Sequence, residues 1–298
     1  MFNRVIVGVD GRSGGRDAIA LAQQLAASPE SLVLANVYGT GAFGASAAVG
    51  AQAADAGHLL ASAKRDHGLD CATMVRLDSS PGRGLHKLAE HEQADLLVVG
   101  SSHRGGLGRA LVGDDTLAAL NGAPCAVAIA PRGHVFATPS WTTIGVGDDG
   151  SAESALALMA ARDLSRRHQV NVRIVAVVPI EGGVPPASVT PSDWTAETVE
   201  ALRIERTRLA EIPGAEGEVL FGDPVRELIR LSESVDLLVV GSRGYGPVGR
   251  FVNGSASNQL ARHSHCPLLV LPRRVSATAP AEPAETSRDP RELAGRAS

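Results

Sequence analysis

The sequence predicts an α/β protein made of two tandem, doubly wound parallel sheets, and three observations carry that reading. The first is an internal repeat. Asp95-Leu96-Leu97-Val98-Val99-Gly100-Ser101 returns as Asp236-Leu237-Leu238-Val239-Val240-Gly241-Ser242, and in the same register Cys125 meets Cys266, Pro131 meets Pro272 and Arg132 meets Arg273. Near the start, Val7-Gly8-Val9-Asp10-Gly11 is answered by Val146-Gly147-Asp148-Asp149-Gly150. The second is the alternation of β-branched runs with helical patterns inside each copy, which means parallel strands joined by crossover helices. The third is the unbroken Leu/Val character of 96–99 and 237–240, expected of strands covered by helices on both faces. The copies occupy 1–135 and 141–274, each long enough for one domain, and meet around Ala137-Thr138-Pro139-Ser140.

In the first copy, strands are expected at 4–9, 32–38, 72–77, 96–100 and 126–130, with helices at 17–27, 82–92 and 114–121. In the second, strands are expected at 143–147, 171–178, 217–221, 237–241 and 268–271, with helices at 153–168, 225–233 and 255–262. Asp223-Pro224 reads as a helix start, the aspartate capping and the proline filling the first turn. The stretches 39–50 and 181–193, small and rich in Gly and Pro, read as mobile loops. Residues 275–298, full of Ala, Pro, Glu and Arg, cannot bury a core and read as a disordered tail.

Composition excludes several classes of function. The chain has 298 residues, 28 basic and 32 acidic, for a net charge of −4. With that balance, and only five Phe, two Trp and two Tyr, it offers neither the basic face nor the stacking rings of a nucleic-acid binder. No apolar run approaches the ~18 residues that cross a bilayer, and Met1-Phe2-Asn3-Arg4-Val5 runs into a strand without a signal peptide. Three cysteines without a CxxC pair read as reduced thiols of a cytoplasmic protein. Cys125 and Cys266, each before an apolar strand, read as buried and inert; Cys71 is left open.

Ligands of open α/β sheets bind at the carboxyl ends of the strands, where strand order reverses. Asp10 and Asp149 close the first strand of each copy. After the fourth strand of the second copy stands Gly241-Ser242-Arg243-Gly244, and nine residues further Gly254-Ser255 opens a helix. Glycines let backbone N–H groups approach phosphate oxygens, and a helix N-terminus adds partial positive charge. Ser255 offers a hydroxyl and Arg243 or Arg250 a cation. The same glycines also serve tight turns. Asp148-Asp149 could help hold Mg²⁺ on a triphosphate, or simply form a turn.

A Gly-x-x-Gly-x9-Gly-Ser loop after an apolar fourth strand, with an aspartate ending the first, resembles the universal stress protein family. The likeness covers nearly the whole chain as two copies, including Pro124-Cys125-Ala126-Val127 and Cys266-Pro267-Leu268-Leu269. It implies flavodoxin-like domains of the adenine nucleotide α-hydrolase type, paired through their last strands as a pseudo-dimer. It also implies ATP as the ligand, with or without Mg²⁺. Asp149 would contact the ribose or adenine, the Val177 backbone the adenine, and Gly241, Arg243, Gly244, Gly254 and Ser255 the phosphates. Further pairing of whole chains into homodimers is left open. The resemblance implies a regulatory or stress-response role without efficient catalysis, or a nucleotide-independent interaction module.

The first copy departs from this pattern. Its loop reads Gly100-Ser101-Ser102-His103 and, nine residues later, Gly113-Asp114. A histidine at a glycine position with positive φ costs roughly 1–2 kcal/mol. A carboxylate ~4 Å from a phosphate charge repels it by about 4 kcal/mol at an effective dielectric of 20. Asp114 is equally an ordinary first-turn acid. The second copy is therefore expected to bind ATP and the first to bind it weakly or not at all.

Three further patterns carry less weight, the PP-loop enzyme among them standing as a third, lesser alternative. Gly244-Tyr245-Gly246-Pro247-Val248-Gly249 matches a dinucleotide fingerprint but follows a fourth strand, and no acid closes the next one. Ser13-Gly14-Gly15-Arg16-Asp17 resembles the loop of PP-loop ATP pyrophosphatases but starts three residues too late, and would need an acceptor pocket. His86, His91, His263 and His265 lack metal-ligand spacing and read as surface or capping residues.

Overall fold

The computed structural model describes residues 2–39, 46–101, 113–136, 140–179, 195–213, 216–242 and 256–272. Among these residues ten strands form one sheet: β1 (Val5–Gly8), β2 (Leu32–Tyr38), β3 (Ala72–Leu77), β4 (Leu96–Gly100), β5 (Ala126–Ala130), β6 (Thr143–Gly147), β7 (Asn171–Pro179), β8 (Glu216–Gly222), β9 (Leu237–Gly241) and β10 (Leu268–Leu271). Their order is β3-β2-β1-β4-β5-β10-β9-β6-β7-β8, so each half repeats the same winding inward from its outer edge. All neighbours are parallel except β5 and β10, which meet antiparallel with Val127 opposite Val270 and Ile129 opposite Leu268. The edges expected to pair do so, and the sheet runs unbroken across the chain.

Strand periodicity explains the continuous Leu/Val runs. Leu96, Val98, Leu237 and Val239 enter one core layer, while Leu97, Val99, Leu238 and Val240 enter the other. The first layer is covered by α1 (Ser13–Leu25), α2 (Ser46–Asp66), α5 (Ala152–His168) and α6 (Ala196–Ala210). The second is covered by α3 (Pro81–His91), α4 (Asp114–Leu120), α7 (Pro224–Leu231) and α8 (Ala256–His263). Both layers contain residues of both halves, so the join at β5–β10 is core rather than a surface contact. Val270→Pro removes a ladder N–H and clashes at this join. It is expected to separate the halves and enlarge the radius of gyration in X-ray scattering; an unchanged compact profile would contradict the pairing.

The structure corrects the expectations at three points. Residues 46–50, read as part of a mobile loop, begin α2; residues 40–45 lie outside the described residues. Helices α2 and α6 were missed, and α1 starts at Ser13 rather than 17. The predicted start of α7 is found: Asp223 accepts from the Arg226 N–H at 2.9 Å and Pro224 fills the first turn. The segments 181–193 and 275–298 lie outside the described residues.

The connection between the halves is pinned to α1. Asp17, 1% exposed, accepts from the N–H groups of Gly133 and Val135, both at 2.9 Å. Buried His134 lies 2.9 Å from the Gln24 side chain, and His168 of α5 donates to the Gln24 carbonyl at 2.9 Å. Arg167 bonds the Ala26 carbonyl, and Trp141 packs on His168 with ring centroids 4.7 Å apart. The C-terminal ends of α1 and α5 are thereby tied across the join.

Candidate functional site

Strand order reverses between β1 and β4 and between β6 and β9, which places a crevice at the carboxyl end of each half. The turn leaving β1 is Asp10-Gly11 and the turn leaving β6 is Asp149-Gly150. Gly11 and Gly150 have φ of +76° and +73°, a conformation that favours glycine. Asp10 accepts from the Arg12 N–H at 3.0 Å and Asp149 from the Ser151 N–H at 3.0 Å. Each aspartate thus shapes its own turn while standing beside the crevice.

Val177, predicted to present its backbone, lies on β7 with its side chain buried. Asp148 donates its N–H to the Val175 carbonyl, and the ladder continues no further toward β6. The two-residue period of the strand turns the Val177 backbone groups to the same side, past the end of β6. Gly241 ends β9, and a methyl group there would sit 2.8 Å from the carbonyl carbon and Cβ of Glu153 in the first turn of α5. Close helix approach therefore demands glycine at 241 whatever else the residue does. Asp149, Val177 and Gly241 converge on one strand-end crevice. Arg243, Gly244, Gly254 and Ser255 lie outside the described residues, as do Arg250 and the Gly244–Gly249 pattern.

The residue that sequence reasoning placed least well is Asp148. It is 4% exposed, and its Oδ1 accepts from the Ser154 hydroxyl at 2.6 Å and the Gly150 N–H at 3.0 Å. Its Oδ2 accepts from Arg208 Nη1 at 2.8 Å. Burial pushes this carboxyl up, but the Ser154 hydroxyl, Arg208 and the Gly150 N–H outweigh it, so the group sits below its ordinary 3.8. With both oxygens engaged by donors, Asp148 does not fit the Mg²⁺-ligand role considered for Asp148-Asp149. Arg208 belongs to α6, a helix that the sequence pattern did not reveal.

The first half builds its crevice differently. A methyl at Gly100 would lie 2.1 Å from the Gly14 carbonyl oxygen, and one at Gly14 would lie 2.8 Å from the Ser101 carbonyl oxygen. Helix α1 and β4 touch backbone to backbone here. That contact, together with Asp17 bonding the connecting segment, gives Gly14 and Asp17 of the Ser13-Gly14-Gly15-Arg16-Asp17 stretch structural roles. Gly113 caps α4 without a side-chain bond, and Asp114 and Asp115 are exposed in its first turn. Thr116 donates to the Gly100 carbonyl at 3.0 Å. His103 lies outside the described residues. At the end of β3, Asp78 accepts from Arg83 and Lys87, which hold its carboxyl well below the usual range.

Three of the four singled-out histidines have structural partners, and His263 is exposed at the end of α8. His86 lies 2.8 Å from the Ala119 carbonyl, His91 pairs with Glu92, and His265 stands 3.4 Å from Glu233. Among the described residues no cluster of three His, Cys, Asp or Glu could hold a metal. All three cysteines are free and buried, and burial pushes the Cys125 and Cys266 thiols up to about 12. Ellman's reagent is expected to label none of them until denaturant is added; rapid labelling of the native chain would contradict this. No helix among the described residues is long and apolar enough to cross a membrane.

The sequence profile of the universal stress protein family matches residues 1–131 and again 140–272. A universal stress protein of Mycobacterium tuberculosis is 26% identical over 216 residues, 69% of this chain and 73% of its own length. Another from the same organism is 31% identical over 183 residues, 60% of this chain and 62% of its own. Among solved structures, a universal stress protein from Archaeoglobus fulgidus superposes with a TM-score of 0.66 at 18% identity, covering 91% of this chain and 98% of that one. That likeness supports the winding of both halves and their joined sheet. With two profile matches spanning nearly all of the described sheet, the chain belongs to the universal stress protein family.

Proposed function

We propose that this chain is an ATP-binding universal stress protein with a regulatory or stress-response role, organised as domains 1–135 and 141–274 with a tail at 275–298. ATP is bound mainly by the second domain. The observation that supports this reading best is the convergence of Asp149, the Val177 backbone and Gly241 on the crevice between β6 and β9. On sequence spacing, Arg243, Gly244, Gly254 and Ser255 supply the phosphate contacts. The exposed Asp114 and Asp115 at the head of α4 set a negative field where the first domain would hold phosphates.

The reading is of a binding protein, and no residue is assigned a role in efficient turnover. Gly254→Asp puts a carboxylate into the second domain's loop, one residue before Ser255, the counterpart of the first domain's Asp114. Titration calorimetry with Mg-ATP is expected to show uptake by the wild type and an affinity at least about 100-fold weaker in the variant. Undiminished binding in Gly254→Asp would place the nucleotide elsewhere. No uptake by the wild type would favour a nucleotide-independent interaction module.

A further inference from the structure

We infer that Arg208 is a positioning residue of the second half's nucleotide site, holding through Asp148 the turn that carries Asp149. The inference rests on the functional reading above. It begins from a comparison the molecule makes with itself. The turns Asp10-Gly11 and Asp149-Gly150 have the same shape, yet different side chains close over them. In the first half, Leu59 of α2 comes within 2.5 Å of where a Gly11 Cβ would be, and the residue before Asp10 is apolar Val9, 6% exposed. In the second half, the Arg208 guanidinium carbon lies 3.6 Å from the corresponding point of Gly150, and the residue before Asp149 is Asp148, 4% exposed. An apolar pair in one copy is an ion pair in the other.

The fold itself therefore does not require charge at this place. A buried ion pair is seldom more stabilising than an apolar pair of similar size, because both ions lose their hydration. What the ion pair adds is direction. Asp148 draws together the Gly150 N–H, the Ser154 hydroxyl in the first turn of α5 and Arg208 on α6. Arg208 is itself oriented by Glu205, which accepts from Nε at 2.9 Å and Nη2 at 2.7 Å. The residue beside Asp149 is thus fixed to two helices. The first half restrains its turn by another route, the Asn36 side chain donating to the Val9 carbonyl at 2.6 Å; the second half has Ala176 in that place. Without Arg208 and Asp148, the second turn loses the restraint that sets where the Asp149 carboxylate stands.

The test is a double-mutant cycle on the full chain, read as Mg-ATP affinity by calorimetry beside a thermal melt. Asp148→Val with Arg208→Leu installs the first half's own apolar solution, so the melting midpoint is expected to stay within a few degrees. ATP affinity is expected to fall about tenfold, the same loss expected of Asp149→Asn alone. Adding Asp149→Asn to the apolar pair is expected to cost little more, since the carboxylate is no longer held in place. Should the double replacement fail to fold, Arg208→Met, which leaves Asp148 its two local donors and is expected to lower the melting midpoint, carries the same expectation for ATP affinity. Full wild-type affinity in the apolar variant, or a tenfold cost of Asp149→Asn that is undiminished there, overturns the role of Arg208 while leaving the nucleotide site intact. A wild type that takes up no ATP overturns the functional reading, and this inference with it.

Discussion

Gly100→Ala is expected to destabilise the chain by about 3 kcal/mol, at the upper end of overpacking costs. The added methyl would fall 2.1 Å from the Gly14 carbonyl oxygen and 2.6 Å from the Gly14 Cα. Neither is the movable end of a side chain; both are backbone, at the first turn of α1. Relief requires shifting α1 away from β4 across the centre of the first half's sheet. Gly57→Ala is the matched control, since nothing lies within 4 Å of that position on α2. It is expected to stabilise the helix by about 0.5–1 kcal/mol. Urea unfolding of the two variants separates the effects, and equal midpoints would show that the β4–α1 contact is not tight.

Asp17→Ala is the second large effect. The carboxylate accepts from two backbone N–H groups of the connecting segment, and at 1% exposure no water replaces it. Two charge-assisted bonds are lost and two donors are left without their acceptor, for a cost of about 3 kcal/mol. Thermal midpoint is expected to fall by roughly 5–10 °C. Asp17→Asn keeps an acceptor oxygen and should fall between the variant and the wild type. Amide exchange at Gly133 and Val135 should accelerate in Asp17→Ala before the strands of either half exchange. Unaltered protection there would mean that the segment is held by His134 and Trp141 instead.

The strands were legible in the sequence almost to the residue because β4 and β9 repeat verbatim and are apolar on both faces. The hidden helices had no such signal. Among its described side chains α2 buries Ala56 and Leu60, in a segment that apart from Val49 and Leu59 is otherwise Ala, Gly and polar residues. Helix α6 buries Leu202 and Leu209, two turns apart, and exposes Val199 and Ile204. Apolar periodicity is faint in both, since they cover the outer strands of the sheet. Ala-rich helix propensity in the one and the Thr195 cap in the other were the available cues.

The candidate site was legible in its turns and not in its restraints. Asp149 could be named from the strand it ends. The partner of Asp148 could not, because Arg208 lies 60 positions away on a helix that had not been recognised. The repeat did hold a hint: Asp148 stands where the first copy has Val9, and a carboxylate in an apolar register needs a partner. The same arrangement bears on pH. Asp148 titrates lower in the folded chain than its ordinary 3.8, so its stabilising contribution is complete above that value and is lost as pH falls through the lower folded value.

The asymmetry of the two copies is the centre of this account. The most direct measurement is to denature the protein in acid and quantify the adenine nucleotide released per chain after saturation with Mg-ATP and removal of the excess. One ATP per wild-type chain, with almost none from Gly254→Asp, is the predicted result. Two per chain, or one that survives Gly254→Asp, would contradict it.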